Sequence, residues 1–392
     1  MSKNEFERKT KEAKPVIAIC YDFDKTLSPD DMQAQGYIQS VGYDVEEFWT
    51  KSNELAENND MDQNLAYMHM MVREAEGQLI VNKKNLAEYG SKVNFFPGVE
   101  DWFDRIQKFG KELGVKVEHY IISSGLKEMI EGTSVAQKGY FEKIYASCFF
   151  YDPKSKIAIW PAQVVNYTNK TQFLYRIKKG VLDINDPAVN DKFSPEEIRV
   201  PFRNMIYIGD SDTDIPCMEL VNTYGGYSIG VYNSKSEDKA KVYRMMRDNR
   251  IKYFVPADYS EDSELDYLIK KIIKRTAENE VLESKYFECK QETNKAYLED
   301  KEEVRYRKQR ILSLEDSRNF ISTHIAIEEL RKCSDWTEEE KEKLFNIAVS
   351  NTQVFYILND SDVKKFYKRL LENHQNLSEN AQKVMVEIEK TN

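Results

Sequence analysis

Five short apolar runs, each closed by turn chemistry, constrain the first 260 residues more than any other feature. They are Val16 to Tyr21, Val117 to Ile122, Met205 to Ile208, Tyr227 to Tyr232 and Tyr253 to Val255. Each is too short for a helix and rich in Val, Ile and Tyr, as strands buried on both faces of a parallel sheet are. Helical stretches such as Val99 to Lys111 and Leu126 to Gln137 lie between them. Strand and helix in alternation predict an α/β fold with a doubly wound parallel sheet and a site at the strands' carboxyl ends.

The pattern changes twice. From Leu27 to Phe96 no strand-like run occurs, and Phe48, Trp49, Leu55, Leu65, Met68, Met71, Val72 and Ala75 recur at helical spacing. That predicts a helical insertion of about 65 residues between two strands, its Met and aromatic stripe forming a small core. From Glu261 to Asn392 there are 23 basic and 28 acidic residues and neither glycine nor proline. Such a composition favours an all-α extension and offers little to a second sheet. Leu265 to Leu314 reads as one long helix or a helical pair, docked at its start by Leu268, Ile269, Ile272 and Ile273. Thr337 with Glu340 has capping-box spacing, and Asp360 or Ser361 can cap a later helix. The expected division is a tail over 1–14, an α/β core over 15–30 and 95–260, an insertion over 31–94 and a helical region over 261–392.

Charge and cysteine usage exclude several classes. The chain of 392 residues carries 57 basic and 67 acidic side chains, a formal charge of −10, which argues against a nucleic-acid partner. No stretch approaches the ~20 apolar residues of a membrane span, and the start MSKNEFERKT is unlike a signal peptide. Cys20, Cys148, Cys217, Cys289 and Cys333 are dispersed and lack CxxC spacing, so neither a disulfide framework nor a zinc cluster is expected. The expectation is a cytoplasmic protein.

Chemistry concentrates where strands end. In DFDKTL, Asp22 and Asp24 leave the first strand two positions apart, so both carboxylates can reach one polar pocket. Two like charges buried together call for a cation, and Mg²⁺ suits oxygen ligands; capping of the loop or next helix is the plainer alternative. GDSDTD brings Asp210, Asp212 and Asp214 to the end of another strand. A calcium loop of the EF-hand type does not fit, because the glycine precedes the acids and no helix comes before them. IISSG places Ser123 or Ser124 before a helix, where a hydroxyl and backbone amides cradle phosphate, although serine is also an ordinary helix cap. Lys170 precedes a helical stretch and can neutralise a phosphate or the aspartates, or simply lie on the surface.

In order and strand-end position these four motifs resemble those of the haloacid dehalogenase-like (HAD) hydrolases, over about Pro15 to Asp258. Asp22 and Asp24 match the first motif, Ser123 the second, Lys170 the third, and Asp210 with Asp214 the fourth. Ser123 is favoured because it directly follows the apolar strand, with Ser-Gly after it as in the phosphoserine-phosphatase-like branch. The family pattern often has glycine where Lys25 stands, with lysine a familiar variant. The resemblance implies a HAD-like core, a helical cap of the first type over 31–94, and Mg²⁺-dependent hydrolysis of a small phosphorylated substrate through an aspartyl-phosphate. Asp22 would be the nucleophile with its other oxygen on the metal, and Asp24 the acid and base with its backbone carbonyl on the metal. Ser123 and Lys170 would hold the phosphoryl oxygens; Asp210 would complete the metal site, with Asp214 helping through water or by fixing Lys170. Dehalogenases lack the second aspartate of the first motif, so that activity is not expected. The alternatives are a phosphotransferase or phosphomutase, or a regulatory protein whose region 261–392 recruits a partner. That region lies outside the resemblance and is expected to serve a homo-oligomer or a protein contact.

Overall fold

The chain is described here by a computed structural model, covering residues 6–236, 239–372 and 378–390, with side chains for all of these except 296–301. It forms two compact units, 1–284 and 285–392.

The first unit is built on seven strands: β1 (Val16–Tyr21), β2 (Lys116–Leu126), β3 (Phe141–Tyr151), β4 (Ala158–Gln163), β5 (Met205–Gly209), β6 (Tyr227–Tyr232) and β7 (Tyr253–Pro256). Their order across the sheet is β4-β3-β2-β1-β5-β6-β7, parallel throughout except for β4, which runs antiparallel to β3. The parallel expectation is therefore corrected at one edge. Alternation along β1 shows why the runs are continuous: Ile17, Ile19 and Tyr21 enter one apolar cluster and Val16, Ala18 and Cys20 the other. α5 (Val99–Glu112) covers the first face with Trp102, Phe103 and Ile106. α8 (Thr171–Lys179) and α9 (Ile215–Thr223) cover the second, with Phe173, Leu174 and Ile177 and with Cys217, Met218 and Val221. The helix expected over Leu126 to Gln137 is two, α6 (Lys127–Gly132) and α7 (Ser134–Gln137), interrupted at Thr133, whose hydroxyl caps the second.

Between β1 and α5 lie α1 (Tyr37–Ser40), α2 (Val45–Asn58), α3 (Gln63–Glu74) and α4 (Lys83–Gly90). Their Tyr37, Phe48, Met68 and Met71 are buried in the same cluster as the sheet's first face. Hydrogen bonds fasten this segment near the carboxyl ends of the strands: Tyr67 Oη donates to Ser124 O (2.8 Å) and Asn64 Nδ2 to Val165 O (2.9 Å). At the other end of the unit, the stretch before β1 is held by the Lys9 amide on Gly180 O (2.9 Å) and by Glu12 against the buried Arg199. α10 (Ala240–Arg247) follows β6, and α11 (Glu264–Glu315) contains the division between the units. Leu265, Ile269, Ile272 and Ile273 at its start share the sheet's apolar cluster.

The second unit is all helical, with α12 (Phe320–Arg331), α13 (Glu338–Ser350), α14 (Thr352–Tyr356), α15 (Ser361–Glu372) and α16 (Glu379–Glu389) around a core that includes Leu344, Phe345, Val363, Tyr367 and Val384. The capping box forms as the spacing predicts: Glu340 N donates to Thr337 Oγ1 (3.2 Å) and Thr337 N to Glu340 Oε2 (3.0 Å). No helix among the described residues is long and apolar enough to cross a membrane, and all five cysteines are free.

Folding brings two acids, 36 and 38 residues further along the chain, to one histidine. His324 Nδ1 lies 2.7 Å from Asp362 Oδ2 and Nε2 lies 3.1 Å from Asp360 Oδ2; His374 lies outside the described residues. The hydrogen bond to Asp362 leads in raising the His324 pKa above its ordinary value, with burial opposing. A raised folded-state pKa stabilises the protein below the ordinary histidine pKa, and that increment is lost as pH rises through the raised value. Asp362→Asn should therefore cost about 1 kcal/mol or less near pH 5.5 and nothing near pH 9. Paired denaturant melts at the two pH values check this; an equal loss at both would show that the imidazolium is not the bonded form.

Candidate active site

Four loops meet at the carboxyl ends of β1, β2 and β5 and the start of α8. Asp22 extends β1 by one residue, its amide donating to Ile208 O (3.0 Å) on the neighbouring strand. Its Oδ1 accepts the Phe23 amide (2.8 Å), and its Oδ2 lies 3.3 Å from Lys170 Nζ. Burial pushes the Asp22 carboxyl up to about 7, aided by Asp214 and Asp210 and opposed by Lys170.

Asp24 follows two residues later in the same loop. Its Oδ1 accepts the Met32 amide (2.8 Å), which ties the start of the inserted segment to the site. Burial, then Asp31 and Asp22, push its carboxyl well above the usual carboxylate range. A Cβ on Gly125 would fall 2.8 Å from Asp24 Oδ2 and 2.6 Å from Met32 Cε, so a side chain there would displace one of them. Lys25 between the two sits at φ +56°, a left-handed conformation that glycine adopts more readily than other residues; its ammonium is 2.9 Å from Asp31.

Ser123 is 1% exposed on β2, two residues past the Tyr21–Ile121 pair, and its Oγ accepts the Gly125 amide (3.0 Å). Ser124 Oγ is buried without a hydrogen-bond partner.

Lys170 is not a surface lysine. It is completely buried, with Nζ 2.8 Å from Asp214 Oδ1 and 3.3 Å from Asp22 Oδ2. Burial alone would pull its ammonium down, but Asp214 and Asp22 overcome this and hold it above the usual lysine range. Asp214 is fixed in turn: Oδ1 also accepts Tyr207 Oη (2.9 Å), and Oδ2 accepts the Ser211 amide (3.1 Å). Gly209 makes that approach possible, since a Cβ there would lie 2.5 Å from Asp214 Oδ2.

The three acids of GDSDTD separate. A short 3-10 turn over Asp212–Asp214 keeps Asp214 inside and swings Asp212 out to Arg244, whose Nη2 contacts both carboxylate oxygens (2.6 and 2.8 Å). Asp210 stays largely buried, with Lys241 Nζ 3.3 Å from its Oδ2. Burial pushes the Asp210 carboxyl up to about 6, with Lys241 opposing and Asp214 adding to it.

Carboxylate oxygens of Asp22, Asp210 and Asp214 lie within 4.8 Å of one another. Three hard oxygen donors this close, two of them driven toward protonation by their surroundings, suit a divalent cation of the Mg²⁺ type. The Asp24 carboxylate is not in that group among the described residues. Motif spacing did not reveal Tyr207, Lys241 or Tyr67; each acts through a contact made only on folding, and no local signal marks it.

No family model matches the chain. A Borreliella burgdorferi protein described as uncharacterized is 28% identical over 289 residues, an alignment that takes in 67% of this chain and 98% of the relative. Among solved structures, the chain is similar to a HAD family hydrolase from Salmonella enterica serovar Typhi, with a TM-score of 0.43, 16% identity, and 67% of this chain and 73% of that chain covered. It is also similar to a phosphoserine phosphohydrolase-like protein from Francisella tularensis (TM-score 0.36, 16% identity, 61% and 94% covered). A third likeness is to cytosolic 5'-nucleotidase IIIB bound to cytidine (TM-score 0.37, 13% identity, 66% and 86% covered). At TM-scores below 0.5 these are loose likenesses.

Proposed function

We propose that the chain is a HAD-like phosphatase, hydrolysing a small phosphomonoester through phosphorylated Asp22. The observation that carries this reading is the burial of Lys170 between Asp22 and Asp214, 3.3 and 2.8 Å away. A lysine with no solvent contact, placed against one carboxylate from β1 and one from the loop after β5, suits a group that must meet a phosphoryl dianion.

Each residue then has a physical task. Asp22 Oδ attacks phosphorus as the ester's P–O bond breaks, and the leaving oxygen takes a proton from Asp24, whose carboxyl is held in its protonated form by burial. Asp24, now a carboxylate, takes a proton from water that attacks the phosphorylated Asp22, releasing phosphate and restoring both acids. Ser123 Oγ and Lys170 Nζ hold the transferring oxygens, while Asp214 and Tyr207 keep Lys170 aimed. Mg²⁺ held by Asp22, Asp210, the Asp24 carbonyl and, through water, Asp214 would supply positive charge against the phosphoryl oxygens. The inserted segment over 31–94 acts as a cap, supported by the Met32 and Tyr67 hydrogen bonds at the site. We assign the region over 261–392 to assembly or partner contact, its start also buttressing the sheet through Leu265 and Ile269.

An aryl phosphate is the direct test. The protein should release the phenol with Mg²⁺ present, lose at least about 10²-fold of its rate in EDTA, and recover on adding Mg²⁺ back. A rate indifferent to EDTA would remove the metal from this reading, and no hydrolysis of any phosphomonoester with Mg²⁺ would end it.

A further inference from the structure

We propose that Lys241 is a built-in competitor of the divalent cation: its ammonium occupies Asp210 until the metal displaces it, and so lowers the site's metal affinity. The inference rests on the metal centre proposed above.

The charge balance around the site motivates it. Asp22, Asp210 and Asp214 bring three carboxyl groups within 4.8 Å of one another, while one buried ammonium, Lys170, faces Asp22 and Asp214. At the rim, Lys25 is engaged by Asp31 at 2.9 Å. Asp210 receives its cation from α10, where Lys241 Nζ stands 3.3 Å from Oδ2.

α10 places two cations one turn apart on the acidic loop, and they differ in kind. Arg244 grips Asp212 through both oxygens, 2.6 and 2.8 Å away, at a position half-exposed on both sides. That pair anchors the loop and lies outside the acid cluster. Lys241 instead reaches inward, from a side chain 41% exposed to a carboxylate 12% exposed. An ammonium against Asp210 Oδ2 and a divalent ion on the same carboxylate repel each other strongly at such range. Metal entry must therefore push Lys241 away, and its long, partly exposed stem lets it swing into solvent at modest cost. What is lost is the ion pair with Asp210, and that loss is subtracted from the metal's binding free energy.

Removing the charge should tighten metal binding. Lys241→Gln should lower the dissociation constant for Mn²⁺ about two- to fivefold, the upper part of the range expected for a partly exposed ion pair. The measurement is titration of Mn²⁺ alone, followed by electron paramagnetic resonance of the free ion, into the full chain without substrate. Arg244→Gln removes the same charge from the same helix without freeing Asp210, and its affinity should change by less than about twofold. Asp210→Asn should abolish the high-affinity site. A Lys241→Gln affinity equal to or weaker than that of the unaltered protein would overturn the competition, as would an Arg244→Gln protein that tightens equally. If the unaltered protein takes up no Mn²⁺, or Asp210→Asn binds it as well, the metal centre itself is wrong and the competition falls with it. With those two controls intact, a failure of Lys241→Gln overturns the competition alone.

Discussion

Asp22→Asn should extinguish turnover of an aryl phosphate, by about 10⁴-fold or more, while leaving the fold as stable as before or more so. The loss follows from removing the nucleophile; deleting a residue of this kind alone often costs as much as removing the whole catalytic constellation. The stability half follows from the electrostatics. Burial, Asp214 and Asp210 raise the Asp22 carboxyl to about 7 against the pull of Lys170. A folded-state pKa above the unfolded one means that the native protein binds more protons than the unfolded chain between about pH 4 and 7. Stability therefore falls as pH rises through that window, and above it the ionised Asp22 is a standing cost. Asparagine carries no charge, and its oxygen can still accept the Phe23 amide that now bonds Oδ1 at 2.8 Å. Metal-free melts near pH 8 should place the variant at or above the unaltered protein. Retention of more than about a hundredth of the rate would exclude Asp22 as nucleophile, and a marked fall in melting temperature would show that it is held mainly as a structural partner of Lys170.

How far the amino-acid sequence reveals this architecture depends on where each strand lies in the sheet. β1, β5 and β6 are buried on both faces, so each reads as an unbroken apolar run, and the bounds expected for β1 and β6 are those observed. β3 and β4 went unread. β3 begins with Phe141, Glu142, Lys143 and Ile144, all partly exposed, so its first half shows no apolar run. β4 is an edge strand with Ile159 and Trp160 in solvent and Pro161 within it, a proline that an edge tolerates and a central strand would not. The antiparallel turn at that edge is likewise a property of pairing that one strand's residues do not express.

The site divides in the same way. Asp22, Asp24, Ser123, Asp210 and Asp214 all lie within six residues of the end of an apolar run, which is what makes them candidates from position in the chain alone. Asp212 has the same local credentials as its neighbours, yet the turn over Asp212–Asp214 sends it to Arg244. Lys170 had no such run before it, and only its place in the order of motifs suggested it. Tyr207 reads as one more buried strand residue; that its hydroxyl meets Asp214 depends on how the following loop folds back over β5.

Lys170→Met should damage both stability and turnover, and a second substitution should separate the two effects. The methionine fills much of the lysine's volume but leaves Asp22 and Asp214 without the cation that lies 3.3 and 2.8 Å from them. Breaking a fully buried pair by removing one partner costs about 3–5 kcal/mol, because the remaining charge stays desolvated. Turnover should fall by about 10³-fold, since a positive group facing the phosphoryl oxygens is lost where charge must be balanced in the transition state. Adding Asp214→Asn removes the carboxylate that lost most, while the amide oxygen can still accept Tyr207 Oη, now 2.9 Å from Oδ1. The double variant should therefore recover much of the melting temperature and none of the turnover. The pH dependence supplies an independent check. Without Lys170 the Asp22 carboxyl rises further above its present value of about 7, so the share of the stability gap that Asp22 contributes should narrow as pH falls from the alkaline side toward 7. A single variant as stable as the unaltered protein would mean that the lysine is not paired in the folded state. A double variant that regained turnover along with stability would reduce Lys170 from a phosphate-binding group to a structural counter-ion of Asp214.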